Sequence, residues 1–305
     1  MKQIVPVTII LIIFLIVNVC TGITPDSGSS LIYPVLKAPQ TSLEIKDYVD
    51  TAAVWAQENG KDTAISAFGN ASGPFVTGDI YIYALDYSGI ALALPFQPDK
   101  VGTDFTPLLD ASGKPYTKVE INLSQIGGGY ILYYYPYPAG DQPSTLKISY
   151  VRPVDDTYWI GAGVYTSEDR VISQELRQFV DDAKVYALEN GKEKALTAFN
   201  TINGSFVQGD LYIFAYDYNG TVLAWPYRPD QIGLNRFNAT DLTGRYHVQS
   251  FINTAQAGGG ITDYYSLNPI TNVTDLKISY VTDVDGTWMI GAGQYIEPGQ
   301  IVLQI

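Results

Sequence analysis

Slid along itself, the sequence matches at a fixed offset of 131 residues, and this repeat limits what the chain can fold into more than any single motif does. Ala67-Phe68 falls on Ala198-Phe199, Gly78-Asp79 on Gly209-Asp210, Pro98-Asp99 on Pro229-Asp230, and Gly127-Gly128-Gly129 on Gly258-Gly259-Gly260. After a one-residue deletion the offset is 130, and Leu146 to Val151 then matches Leu276 to Val281, as Ile160 to Gly163 matches Ile290 to Gly293. The identities run through each copy from end to end, at about 125 residues apiece, a usual domain size. Two domains of one fold are expected, at 42–168 and 169–305, behind a linker at 23–41 and a leader at 1–22.

Each copy opens on helix chemistry. Leu43, Tyr48, Ala52 and Trp55 recur at three- and four-residue spacing, then Asn59-Gly60 interrupts before a shorter helical piece to Phe68. In the second copy Leu176, Phe179, Val180, Ala183 and Ala187 make the stripe and Asn190-Gly191 the break. A hairpin follows, turning at Ser88-Gly89 and at Asn219-Gly220, residues that tolerate positive φ. A loop of about 25 residues comes next, long enough to be functional when ordered. Three more strands close each copy. The fold class is therefore α+β: two tandem domains, each a roughly five-stranded antiparallel sheet backed by an N-terminal helix. Tyr81 to Leu85 and Tyr130 to Tyr135 are apolar or aromatic on both faces, so the second face also needs a cover. The long loop is expected to be that lid, over a concave and mostly apolar pocket.

The amino terminus points to export. Lys2 precedes a run from Ile4 to Val19 that is apolar except for Thr8 and Asn18. At a little under the roughly 20 residues of a full span, it reads as a signal peptide or a membrane anchor. Cys20 could carry a lipid, though Val19 is bulkier than the residue that usually precedes a lipidated cysteine. No other cysteine exists to form a disulfide, so the domains must be held by their cores. The formal net charge of −13 repels nucleic acid and anionic headgroups. Sequons at Asn70, Asn122, Asn203, Asn219, Asn238 and Asn272 fit an extracellular or cell-surface address. No second apolar run is long enough to span, so any signal is expected to leave through a receptor or kinase partner.

The residues resemble the extracellular Cache domains, PAS-like sensor modules of microbial chemoreceptors and sensor kinases, here of the single-Cache type in two tandem copies. The resemblance is carried by Gly78 to Pro95, Pro98 to Gly102, the triple glycine with Tyr133, Tyr135 and Pro136 after it, Lys147 to Tyr150, and Trp159 to Tyr165, all recurring in copy two. It implies a sheet that binds a small organic molecule, often a short carboxylate, on the face away from the long helix. It also singles out Tyr133, Tyr135 and Lys147 in copy one and Tyr264 and Lys277 in copy two as ligand-binding residues. Many relatives have a histidine before the strand-ending proline, where this chain has Leu94 and Trp225, and Ser266 stands where Tyr135 does. The two pockets should therefore differ.

Lys147 and Lys277 each sit inside an apolar strand, where an unpaired ammonium is costly, so each needs a partner such as a bound carboxylate, or must snorkel to solvent. Tyr133 and Tyr264 suit a pocket, while Tyr81, Tyr83, Tyr212 and Phe214 read as core. Trp225 and Arg228, at the exit of the second hairpin, could clamp an anion, though Arg228 equally fits a surface charge. Asp155-Asp156 and Asp283 to Asp285 match no calcium-loop spacing, and no metal or other cofactor is expected. Catalysis is not expected either: the one histidine, His247, is matched by Tyr116, and no acidic pair recurs at a pocket position. The rival to a sensor is a structural or adhesive envelope protein that uses the repeats as spacers. The apolar stripes of the opening helices fit packing on the sheet and equally a homodimer contact.

Overall fold

A computed structural model of the chain describes residues 31–138 and 144–296. The chain divides into two units, Met1–Tyr33 and Pro34–Ile305. Of the first, residues 31–33 are described and have no regular structure; the leader read above as a signal peptide or anchor lies outside the described residues. Among the described residues no helix is long and apolar enough to cross a membrane. Both sequence copies lie in the second unit.

Copy one begins with α1 (Ser42–Asn59) and α2 (Lys61–Phe68). The Thr41 side chain accepts the Glu44 backbone N–H and so caps α1, and Gly60, at φ 81°, ends it. Next come the ribbon of β1 (Val76–Thr77) and β2 (Ile80–Tyr81), the hairpin of β3 (Tyr83–Asp86) and β4 (Ala91–Ala93), and α3 (Tyr116–Gln125). The copy closes with β5 (Gly129–Tyr135), β6 (Thr145–Pro153) and β7 (Tyr158–Thr166). Copy two repeats the plan after a short helix α4 (Glu168–Val171): α5 (Gln174–Asn190), α6 (Lys192–Phe199), β8 (Val207–Gln208), β9 (Leu211–Tyr212), β10 (Phe214–Asp217), β11 (Val222–Ala224), α7 (His247–Gln256), β12 (Gly260–Leu267), β13 (Thr274–Asp283) and β14 (Trp288–Tyr295).

The sheets are five-stranded and antiparallel, in the orders β4-β3-β7-β6-β5 and β11-β10-β14-β13-β12. These are the two PAS-like modules expected from the sequence. Side chains alternate between faces along each strand. Ile148, Ile160 and Ala162 turn toward α1 and its buried Ile45, Val49 and Ala52, and the same layer of copy two joins them in one apolar cluster. Ile131, Tyr133, Val151 and Trp159 turn the other way, toward Val119 and Leu123 of α3.

That second cover differs from the expectation. The long connection is not a lid without structure of its own: its latter part is a helix, α3 in one copy and α7 in the other. Tyr116, Val119, Glu120 and Leu123 are buried on α3, and His247, Val248, Phe251, Ile252 and Ala255 on α7. His247 opens α7.

Candidate functional site

Between sheet and second cover each copy encloses a pocket whose floor is the lysine strand. The register places Lys147 between Tyr133 and Tyr165, and Lys277 between Tyr264 and Tyr295. Glycine in the neighbouring strand makes room for each lysine. A Cβ added to Gly163 would lie 2.9 Å from Lys147 Cε and 2.1 Å from Ser149 Oγ; at Gly293 the distances are 3.0 Å to Lys277 Cε and 2.1 Å to Ser279 Oγ. The repeated Gly-Ala-Gly thus lets a long cationic side chain lie flat against the sheet.

In copy one the lysine is fully enclosed. Lys147 is 1% exposed and lies among the rings of Tyr81, Tyr83, Tyr135 and Tyr165, 4.4–5.3 Å from their centroids. Its Nζ donates to the Tyr81 hydroxyl at 3.3 Å. On α3, facing the strands, Glu120 is 2% exposed and accepts the Tyr83 hydroxyl at 2.6 Å. Burial pushes the Glu120 carboxyl up to about 7, against the opposing pull of Tyr83 and of the Lys147 charge. Burial likewise pulls Lys147 down to about 7, and the Glu120 charge limits that fall. Tyr116 stacks on Tyr133 at 5.0 Å, and Tyr135 closes the space edge-on to both rings, its hydroxyl donating to Gln97 at 3.0 Å. What is left is a cavity of about 20 Å³, room for one water.

Copy two is open where copy one is closed. Ser266 replaces Tyr135, and a cavity of about 250 Å³ runs between Tyr212, Trp225, Arg228, Arg236, His247 and Tyr264. His247 stacks on Tyr264 at 5.4 Å as Tyr116 does on Tyr133, and Phe251 stands in the place of Glu120. Lys277 is fully buried and sits one side chain back from the cavity, its Nζ 3.9 Å from the centroid of Tyr212. That Nζ has no hydrogen-bond partner, and neither has the buried Nε of Arg236. The Nδ1 of His247 also lacks a bond of good geometry, although the Arg245 carbonyl lies near it. Burial lowers Lys277 to about 7 and His247 to about 4. At the mouth, Arg228 lies over Trp225 at 5.8 Å and pairs with Asp230 through two bonds of 3.0 and 2.9 Å.

The sequence-derived residues thus fall into two groups around two homologous pockets: Tyr133, Tyr135 and Lys147 in one, Tyr264, Lys277, Trp225 and Arg228 in the other. Tyr81, Tyr83, Tyr212 and Phe214, read as core from the sequence, are buried in the apolar clusters under α3 and α7 and also line these pockets. Glu120 and Arg236 were not singled out, and His247 was weighed for catalysis alone. Glu120 is a lone acidic residue at helical spacing between Tyr116 and Leu123, the one signal that could have placed it on the covered face.

A larger cleft, about 490 Å³, separates the copies. Its buried cations, Lys114 and Arg245, are both committed to Asp263, and none of the buried polar atoms without a partner lines it. Among the described residues no group of three His, Cys, Asp or Glu side chains is placed to hold a metal ion.

The chain belongs to the Cache domain family: the Cache domain model dCache_2 matches residues 48–298, through both copies. Over 89 residues the chain is 35% identical to the sensor histidine kinase MctS of Rhizobium johnstonii, a match that takes in 29% of this chain and 19% of the kinase. The match thus covers less than a fifth of the kinase's length. Among solved structures, a methyl-accepting chemotaxis protein from Vibrio parahaemolyticus is 22% identical, with a TM-score of 0.37 over 41% of this chain and 88% of that one. A Cache chemosensory domain solved for carboxylic acid recognition is 21% identical, with a TM-score of 0.36 over 41% of this chain and 92% of that one.

Proposed function

We propose that this chain is a non-catalytic sensor, working outside the cytoplasm, that binds a small organic anion, of the size of a short carboxylate, in the pocket of copy two. The observation that carries this reading is the pair of buried cationic donors without partners, Lys277 Nζ and Arg236 Nε, around a cavity of about 250 Å³. The Arg236 guanidinium already donates to Gln231 at 3.1 Å through a terminal nitrogen, but a buried donor without a partner costs free energy, and an anion that accepts from Arg236 Nε and faces the Lys277 charge across the Tyr212 ring would reduce that cost. Tyr264 and His247 supply a flat wall, Trp225 and Arg228 the mouth, and the buried Tyr212 ring stands between the cavity and Lys277. The domains run over 42–168 and 169–305, and the leader at 1–22 acts as a signal peptide or anchor. Output passes to a membrane receptor or a kinase, in keeping with the kinase relative, with homodimerisation through the opening helices as one route.

Melting the purified protein with acetate, propionate, pyruvate, succinate, amino acids, amines and purines tests this. A monocarboxylate at a hundredfold excess over its Kd should raise the melting temperature by about 5 °C or more. A folded, monodisperse protein that responds to no compound would instead support the envelope-spacer reading.

A further inference from the structure

The two pockets share their lysine, their stacked aromatic pair and their glycine strand, yet differ in polar character at four positions. Copy two has Arg228, Arg236 and His247 where copy one has Gln97, Phe105 and Tyr116, and copy one has Glu120 where copy two has Phe251. Of the two lysines, only Lys147 has a hydrogen bond, and only its pocket contains a buried carboxylate. Tyr83 connects the two charges, for its hydroxyl donates to Glu120 at 2.6 Å while its ring centroid lies 5.3 Å from Lys147 Nζ. The volume difference runs the same way, with about 20 Å³ left in copy one and about 250 Å³ in copy two.

We infer that Glu120 supplies from within the chain the carboxylate that the pocket lysine of copy two lacks, so that copy one is plugged by its own side chain and the chain binds one anion. This rests on the reading of copy two as an anion site, and it makes Glu120 and Tyr135 the residues that decide which copy responds.

The truncation Glu120→Ala removes a CH2–COO⁻ group, which acetate can replace. The test is made in a Lys277→Met background, in which copy two binds about 10- to 100-fold more weakly. Glu120→Ala should lower the melting temperature of that parent, and 50 mM sodium acetate should restore about 3 °C or more of it beyond an equal concentration of sodium chloride. Glu120→Gln, which keeps the volume filled, should show no acetate response. A missing acetate response in Glu120→Ala, or an equal one in Glu120→Gln, overturns the inference. If Glu120→Ala does not fold, calorimetry decides: the wild type should bind one acetate and Lys277→Met the same one about 10- to 100-fold more weakly, and one acetate bound by Lys277→Met with the wild-type affinity would show copy one open. A wild type that binds no anion defeats the anion-site reading of copy two, while the acetate response of Glu120→Ala is scored independently of it.

Discussion

Lys277→Met is expected to make the unliganded protein more stable and to cost it its ligand. The ammonium of Lys277 is fully buried and has no hydrogen-bond partner, so its burial is a penalty that folding must carry. Methionine is similar in length, flexible and apolar, and can lie on Gly293 in the same groove. A gain of about 2 kcal/mol, or roughly 5 °C in melting temperature, follows. Anion affinity should fall by about 10- to 100-fold, the worth of one unit charge acting across the Tyr212 ring at an effective dielectric of about 20. The pH dependence gives a second signature. Lys277 titrates at about 7 in the folded chain against an ordinary 10.5, so between these values the unfolded chain holds a proton that the folded one does not. Stability of the wild type relative to Lys277→Met therefore rises with pH from about 7 to 10.5, and the methionine advantage is greatest below 7. Anion binding needs the ammonium, so above pH 7 binding takes up a proton and weakens by about tenfold per pH unit in the wild type only. Melting curves and calorimetry at pH 6 to 9 check both. Superimposable melting curves for the two proteins would mean that Lys277 reaches water or a counter-ion.

The repeat carried most of the fold into view before any coordinates. Both sheets, the opening helices and the glycine breaks at Gly60 and Gly191 follow from spacing, because these elements are built from local periodicity and turn chemistry. Helices α3 and α7 did not show. Pro115 and Tyr246 precede them without a side-chain cap, and β-branched residues such as Thr117, Val119 and Ile121 weaken the helical signal. They form because Tyr116 and Leu123, or His247 and Phe251, are buried against the sheet, a tertiary effect that spacing alone under-reports. The lysines were legible as site candidates, since a cation repeated inside an apolar strand demands a partner. Which lysine has one was not, because Glu120 and Arg236 lie far from them in sequence and reach the pockets only through the fold. The aromatic residues read as core are core, and line the pockets as well. The sequence does not distinguish a tyrosine packed on a core from one packed on a buried ammonium, and Tyr81 and Tyr212 are of the second kind.

The largest loss of stability is expected from Asp263→Leu, the substitution that gives copy two the residue copy one has at Leu132. Asp263, on β12, has a side chain only 3% exposed and binds two cations. Lys114, from copy one, meets its Oδ1 and also donates to the Leu132 carbonyl, while Arg245 meets its Oδ2 at 3.1 Å. Burial works to raise this carboxyl, yet Arg245 and Lys114 hold it below its ordinary value, so it is a carboxylate at neutral pH. Lys114 and Arg245 are equivalent positions in the repeat, so one acidic residue satisfies both cations where the copies meet. Removing it leaves two cations with side chains 9% and 11% exposed and no ion-pair partner, only the charge of Asp110 acting on Lys114. Breaking a buried cluster in this way costs about 3–5 kcal/mol, or roughly 10 °C in melting temperature. Adding Lys114→Met and Arg245→Met to Asp263→Leu should recover most of the loss, since apolar packing in place of a buried ion cluster is often neutral or stabilising. Differential scanning calorimetry of the three proteins decides it. If Asp263→Leu alone melts within about 2 °C of the wild type, Lys114 and Arg245 relax into water, and the cluster does not lock copy one to copy two.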